Sequence, residues 1–160
     1  ELTLFRLDDT NNPISETGLG EPELIVPFDM MGHIPVLPVR IAGLHMKMGL
    51  DSGAAGAMIF TRWQDRLRGN YEFIERTGLT GADTAVQMGD VVRINSMQIE
   101  TLNYPGMTFR FNDLALHGDR QAPMDGLLGF EFLQMQPVAI NFRSQQLLLW
   151  PRKSHNNPTT

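Results

Sequence analysis

Residues Met46–Phe60 read MKMGLDSGAAGAMIF, and the fold turns on how this stretch is interpreted. Met46, Met48 and Leu50 alternate with Lys47 and Gly49, the period of a strand with one buried side. That strand delivers Asp51 into a turn of small residues, Ser52-Gly53-Ala54, and a second apolar run, Ala57-Met58-Ile59-Phe60, leads away from it. A carboxylate held between two buried segments is costly unless something compensates it. Ser52 offers a hydroxyl for local hydrogen bonding, and Gly53 lets the backbone approach closely. Any account of function has to explain Asp51.

Outward from this turn the chain reads as β structure. Ahead of it, Glu23–Phe28 has the look of an edge strand, because Pro27 donates nothing to a ladder. His33–Ile41 carries Pro35 and Pro38 and is expected at an edge as well. Ala42-Gly43 forms a hairpin turn into the strand that bears Asp51. After it, Thr61–Arg68 is the clearest helix candidate, with Thr61 as N-cap, Gly69 as stop, and Trp63 and Leu67 on one face. Tyr71–Ile74, Val91–Ile99 and Met107–Leu116 read as strands, with a glycine-bearing turn at Thr77–Asp83. Asp125-Gly126-Leu127-Leu128-Gly129 introduces the short apolar segment Phe130–Leu133, and Val138–Phe142 and Leu147–Trp150 close the domain. Many short strands with one or two short helices define an all-β domain, sandwich or barrel.

Composition narrows the function. With 160 residues, 42% hydrophobic and 19% charged, the chain is long enough for one domain with a real core. The net charge of −5 argues against a nucleic-acid partner, since no basic patch is present to displace counterions from phosphates. Arg62, Arg66 and Arg68 are the one basic cluster and read as the solvent face of a short helix. No apolar run approaches the ~20 residues of a membrane span. There is no cysteine, so disulfides, thiolate nucleophiles and Cys metal sites are excluded. The four histidines, His33, His45, His117 and His155, share no ligand spacing, so no metal site is expected. Ser52 lacks the G-x-S-x-G setting of a hydrolase nucleophile, and Ala54-Ala55-Gly56-Ala57 lacks the Lys and Ser or Thr of a phosphate loop. The ten methionines read as core filler.

Asp51 remains. Two such acids face to face share one proton, because like charges that close do not both ionise. The charged member then acts as general base on a water while the neutral one donates to the substrate carbonyl. One chain of this size supplies one such turn, so the pair calls for a homodimer. Asp125, ahead of Gly126, reads as a turn residue rather than a second catalytic acid.

Taken in order, Leu37–Gly43, Leu50-Asp51-Ser52-Gly53-Ala54, the turn Gly78–Asp83, Met124–Leu133 and the two closing strands resemble the retropepsin-like aspartic proteases, particularly the single-lobe bacterial ones. The resemblance covers about residues 23 to 150. It implies a closed β-barrel-like lobe, a homodimer, and peptide-bond hydrolysis with neither metal nor cofactor. By the same resemblance Asp51 is catalytic, Ser52, Gly53 and Ala54 support the dyad, and Leu127, Leu128 and Gly129 pack beneath the acid turn. Gly81, Ala82, Asp83 and Thr84 belong to a flap that closes over an extended peptide. Two positions depart from the family pattern: Ala55 stands where a polar residue is common, and Asp83 where a small or apolar one is usual. They motivate an alternative, a peptide-binding or dimerisation module without catalysis. The expected organisation is an N-terminal extension (1–22), the protease domain (23–150) and a polar tail (151–160). The start at Glu1 and the bacterial-type resemblance favour an extracytoplasmic location.

Overall fold

Leu24–Pro27 (β1) and Asp29–Met31 (β2) precede a long hairpin, Ile34–Ile41 (β3) and Leu44–Leu50 (β4), in the computed structural model of the chain. The structure describes residues 10, 18–80, 86–113 and 123–152. The hairpin turns at Ala42-Gly43 with φ of 50° and 78°, the left-handed pair that matches strand twist. Its register sets Leu37 opposite Met48 and Val39 opposite Met46, so the alternating apolar residues of both strands face one core. Met46, Met48 and Leu50 are buried, as their spacing predicts.

Ala57–Ile59 (β5) follows the acid turn, and a 3-10 turn, Thr61–Trp63, follows β5. Tyr71–Thr80 (β6) and Val86–Ile94 (β7) form a second long hairpin with a bulge between Phe73 and Glu75. Ser96–Ile99 (β8), Leu102–Pro105 (β9), Thr108–Phe111 (β10) and Gly126–Leu128 (β11) complete the main sheet, and Phe130–Leu133 (α1) is its short helix. Val138–Asn141 (β12) and Gln146–Leu149 (β13) join β1 in a separate three-stranded sheet, ordered β1-β13-β12. The main sheet is ordered β6-β7-β10-β5-β11-β4-β3-β8-β9, with β2 added to β3, and curls into a half-barrel. The expected all-β class with one or two short helices is what the chain adopts.

The core is continuous between the two sheets. Leu37, Val39 and Ile41 of β3 meet Phe109 and Phe111 of β10, Leu128, Phe132 of α1, and Leu147 and Leu149 of β13. Truncating any one of these side chains to Ala costs about 2–5 kcal/mol.

Four expectations change. β3 is interior rather than an edge: β4 lies on one side, while β2 and β8 share the other. The two short neighbours leave Leu37–Val39 uncovered there, which eases accommodation of a residue without an N–H. Thr61–Arg68 is not a regular helix but a 3-10 turn followed by further turns. Its N-cap is Phe60 without a side-chain cap, because the Thr61 hydroxyl and N–H both donate to Asp113 instead. Val91–Ile99 is two strands divided at Asn95. Gly78, Leu79 and Thr80 lie on β6 rather than in a turn. Gly81, Ala82, Asp83 and Thr84 fall outside the described residues.

Candidate active site

The two arms of the acid turn, β4 and β5, do not pair with each other. β11 fills the space between them, parallel to β4 (Leu128 opposite Leu50) and antiparallel to β5 (Leu127 opposite Met58). Gly126, Leu127 and Leu128 are all buried, as a strand enclosed on both faces requires. This three-strand arrangement positions Asp51.

Main-chain bonds fix the acid. The Asp51 N–H donates to the Leu128 carbonyl at 3.0 Å, and the Asp51 carbonyl accepts from the Ala54 N–H at 3.2 Å. The carboxylate bends back so that Oδ1 accepts from the Gly53 N–H at 2.8 Å. Its other oxygen accepts no hydrogen bond among the described residues. Asp51 is half-buried, with Ser52 and Gly53 exposed beside it. The Ser52 hydroxyl, expected to bond locally, has no partner among the described residues.

Gly129 closes the support. The next two N–H groups, of Phe130 and Glu131, donate to the carbonyls of Ala54 and Ala55 at 2.7 and 3.2 Å. For those bonds to form, the chain at Gly129 passes so near the turn that a Cβ there would lie 2.3 Å from the Gly56 oxygen and 2.4 Å from that of Ala54. At Gly126 a Cβ would lie 2.1 Å from the Met58 oxygen. Only glycine fits at either place. The expected grouping of Asp51, Ser52, Gly53, Ala54, Leu128 and Gly129 is thus one contiguous unit.

Sequence reasoning missed how Asp125 is used. Its Oδ2 accepts from the Lys47 N–H at 2.8 Å, while Oδ1 accepts from Arg62 Nη2 at 2.8 Å and Trp63 Nε1 at 2.9 Å. It is a turn residue, as expected, yet it also ties β11 to the segment after β5. Arg62, Arg66 and Arg68 are all exposed, as a solvent face requires, yet each has a partner: Arg62 pairs with Asp125, Arg66 stacks on the Trp63 ring, and Arg68 pairs with Asp65. The signal available was Trp63 beside Arg62, two donors able to share one acceptor. Among the described residues no group of three or more His, Asp or Glu side chains is placed to hold a metal.

Asp51 is thus a single carboxylate on a turn backed by a strand threaded between the turn's own arms. The aspartyl protease family model matches residues 37–132, and the chain belongs to that family. No curated protein sequence matches. Among solved structures, a retropepsin-like aspartic protease from Rickettsia conorii is similar with TM-score 0.54 at 15% identity, covering 79% of this chain and 88% of that one. The retroviral protease-like domain of Ddi1 from Leishmania major matches with TM-score 0.47 at 17% identity, over 74% of this chain and 95% of that one. The Rickettsia likeness establishes the fold as retropepsin-like.

Proposed function

We propose that this chain is an aspartic endopeptidase acting as a homodimer, in which Asp51 of each protomer forms the catalytic pair. The observation that carries the proposal is the way Asp51 is held. Its main chain is fixed at both ends and one oxygen is committed to Gly53, while the other is left for a second group. Family membership and fold support a protease-type reaction.

In this reading the two Asp51 carboxyls share one proton. The ionised member takes a proton from a water as its oxygen attacks the scissile carbonyl carbon. The protonated member donates to the carbonyl oxygen, giving a tetrahedral diol. The diol collapses as its C–N bond breaks: one hydroxyl returns its proton to the carboxylate that had donated, and the leaving amine takes up the proton that came from water. Leu128 and Gly129 keep the acid in place, Ser52, Gly53 and Ala54 hold the two acids in register, and residues 81–84 contact the peptide. The catalytic domain spans 23–150, and the protein works outside the cytoplasm; cell fractionation checks that placement.

Asp51→Asn keeps shape and removes the titrating acid, so proteolysis should fall by at least about 10³-fold with folding unchanged. Cleavage that persists in a verified Asp51→Asn preparation rules out the dyad. Ala55, exposed and non-polar beside the acid turn, favours a second reading, a peptide-binding or dimerisation module. A chain shown by sedimentation to be dimeric, yet inert on denatured proteins from about pH 3 to pH 7, would decide for the module.

A further inference from the structure

Three consecutive residues after β5 reach two different parts of the molecule. Arg62 and Trp63 hold Asp125, which leads into the strand beneath the acid turn. The next residue, Gln64, donates from Nε2 to Asp90 Oδ2 at 3.0 Å, on the β6–β7 hairpin. Asp90 Oδ1 stands 3.6 Å from Arg76 Nε, its cross-strand neighbour on β6.

Asp90 occupies a particular place along β7. The ladder between β7 and β10 pairs Arg93, Val92 and Val91 and ends there, so Asp90 is the first residue beyond it. From that point the hairpin runs on without a sheet partner on its β7 side among the described residues, roughly 15 Å for the five residues back to Val86 at ~3.3 Å each. Two further contacts cluster at the same level. Arg110 Nη1 donates to the Thr77 carbonyl at 2.9 Å, and Gly89 lies so close to β10 that a Cβ would sit 2.5 Å from the Phe111 oxygen. The direction of the hairpin beyond the ladder is therefore set at one pivot, and Gln64 is the part of that pivot connected to the acid turn.

We infer that Gln64 and Asp90 are positioning residues that hold the β6–β7 hairpin in register with the Asp51 turn, and so set how tightly an extended peptide is gripped. The inference rests on the endopeptidase reading, because it needs a peptide lying between hairpin and acid. A rotation at the pivot is magnified along the hairpin, and a misplacement of about 1 Å in a binding group can cost up to ~10²-fold. The chemistry at Asp51 is untouched by it.

A charge-exchange cycle tests this. Gln64→Glu sets two carboxylates against each other where one donor-acceptor pair stood. It should raise KM about 10-fold while leaving kcat within about 2-fold. Adding Asp90→Asn restores a pair with its direction reversed, Asn donating to Glu, and should return KM to within about 2-fold of wild type. Simple damage to the fold would not be repaired by a second substitution. Amide hydrogen exchange at Arg76–Thr77 and Gly89–Val91 gives a readout without catalysis: faster in Gln64→Glu, restored in the double variant. Unchanged KM in Gln64→Glu, a kcat loss that matches any KM rise, or failure of the double variant to restore overturns the inference. Absence of cleavage by the wild-type chain sinks the endopeptidase reading instead. The exchange cycle then decides the pivot alone, restored protection supporting it and unrestored protection overturning it.

Discussion

The acid turn and the β6–β7 hairpin flank the same half-barrel but are held in place by different means. Around Asp51 the contacts are main chain to main chain: Asp51 to Leu128, Ala54 to Phe130, Ala55 to Glu131, with Gly126 and Gly129 pressed against carbonyl oxygens. Beyond the β7–β10 ladder the hairpin has one close backbone approach, at Gly89, and otherwise relies on side chains, Gln64 on Asp90 and Arg110 on Thr77, and it shows Phe73, Ile74 and Met88 to solvent. Main-chain contacts leave no rotamer to adjust, so they fix position and tolerate almost no substitution. Side-chain contacts can be exchanged for others of like chemistry. The acid is thus placed by the backbone, whereas the pose of the hairpin is open to change by sequence.

The largest effect should come from Gly129→Ala. One methyl group would meet two backbone oxygens at 2.3 and 2.4 Å, and neither is the end of a flexible side chain. The strand and the turn must separate, at a cost of about 3 kcal/mol. Urea unfolding measures that loss, and kcat should fall at least ~100-fold as Asp51 shifts. A stable and active Gly129→Ala protein would break the contrast between the two regions.

Next in size is Asp125→Ala. Removing this mostly buried carboxylate leaves the Lys47 N–H and the Trp63 indole N–H without their acceptor, and Arg62 without its partner. The expected destabilisation is about 2–3 kcal/mol, chiefly from the stranded neutral donors, since Arg62 is partly in water. Asp125→Asn, which retains an acceptor oxygen, should lose less. Equal losses in the two variants, compared by urea midpoint, would show that charge rather than hydrogen bonding ties β11 down.

Much of the acid region was legible in the sequence, and the physical reason is locality. Met46, Met48 and Leu50 announce their strand by period, Ala42-Gly43 its hairpin, and Asp51-Ser52-Gly53 its turn. Leu127-Leu128-Gly129 was tied to the turn through resemblance, because nothing local says that a strand far along the chain threads between β4 and β5. The missed features are of one kind. Thr61 looked like a cap because its true partner, Asp113, lies 52 residues away, and the partner of the exposed Arg62, Asp125, lies 63 away. The prolines of β3 signalled an edge, and only the split of its second neighbour between β2 and β8 shows how an interior strand accepts Pro38.

A smaller effect, with a pH signature, is expected behind the acid turn. Tyr104 packs edge-on against Phe132 of α1, with ring centroids 5.4 Å apart, and its hydroxyl donates to Gln136 Oε1 at 3.1 Å. Burial raises its pKa above the ordinary 10.0, against the opposing pull of Arg152 and of the Gln136 bond. The unfolded chain therefore loses this proton first. The contribution is fully present below the unfolded value and is lost as pH rises through the raised folded value. Tyr104→Phe should cost about 1 kcal/mol near neutrality and flatten the alkaline fall in stability. Urea midpoints taken from about pH 7 to pH 11 read both effects, and an alkaline limb as steep in Tyr104→Phe as in wild type would assign that fall to another group.

The smallest effect tests the hairpin side of the comparison. Phe73 is 57% exposed and borders the bulge at which the register of β6 against β7 shifts. Thr retains β propensity and removes an aromatic ring already largely in water, so Phe73→Thr should move stability by no more than about 0.5 kcal/mol. The ladder partner, Val92, is fully buried and remains to hold the strand pair to the core. If the urea midpoint instead drops as far as in Asp125→Ala, the base of the hairpin is packed as firmly as the acid turn. The freedom to re-aim it through Gln64 and Asp90 would then be confined to the segment past Val91, where the ladder to β10 has ended.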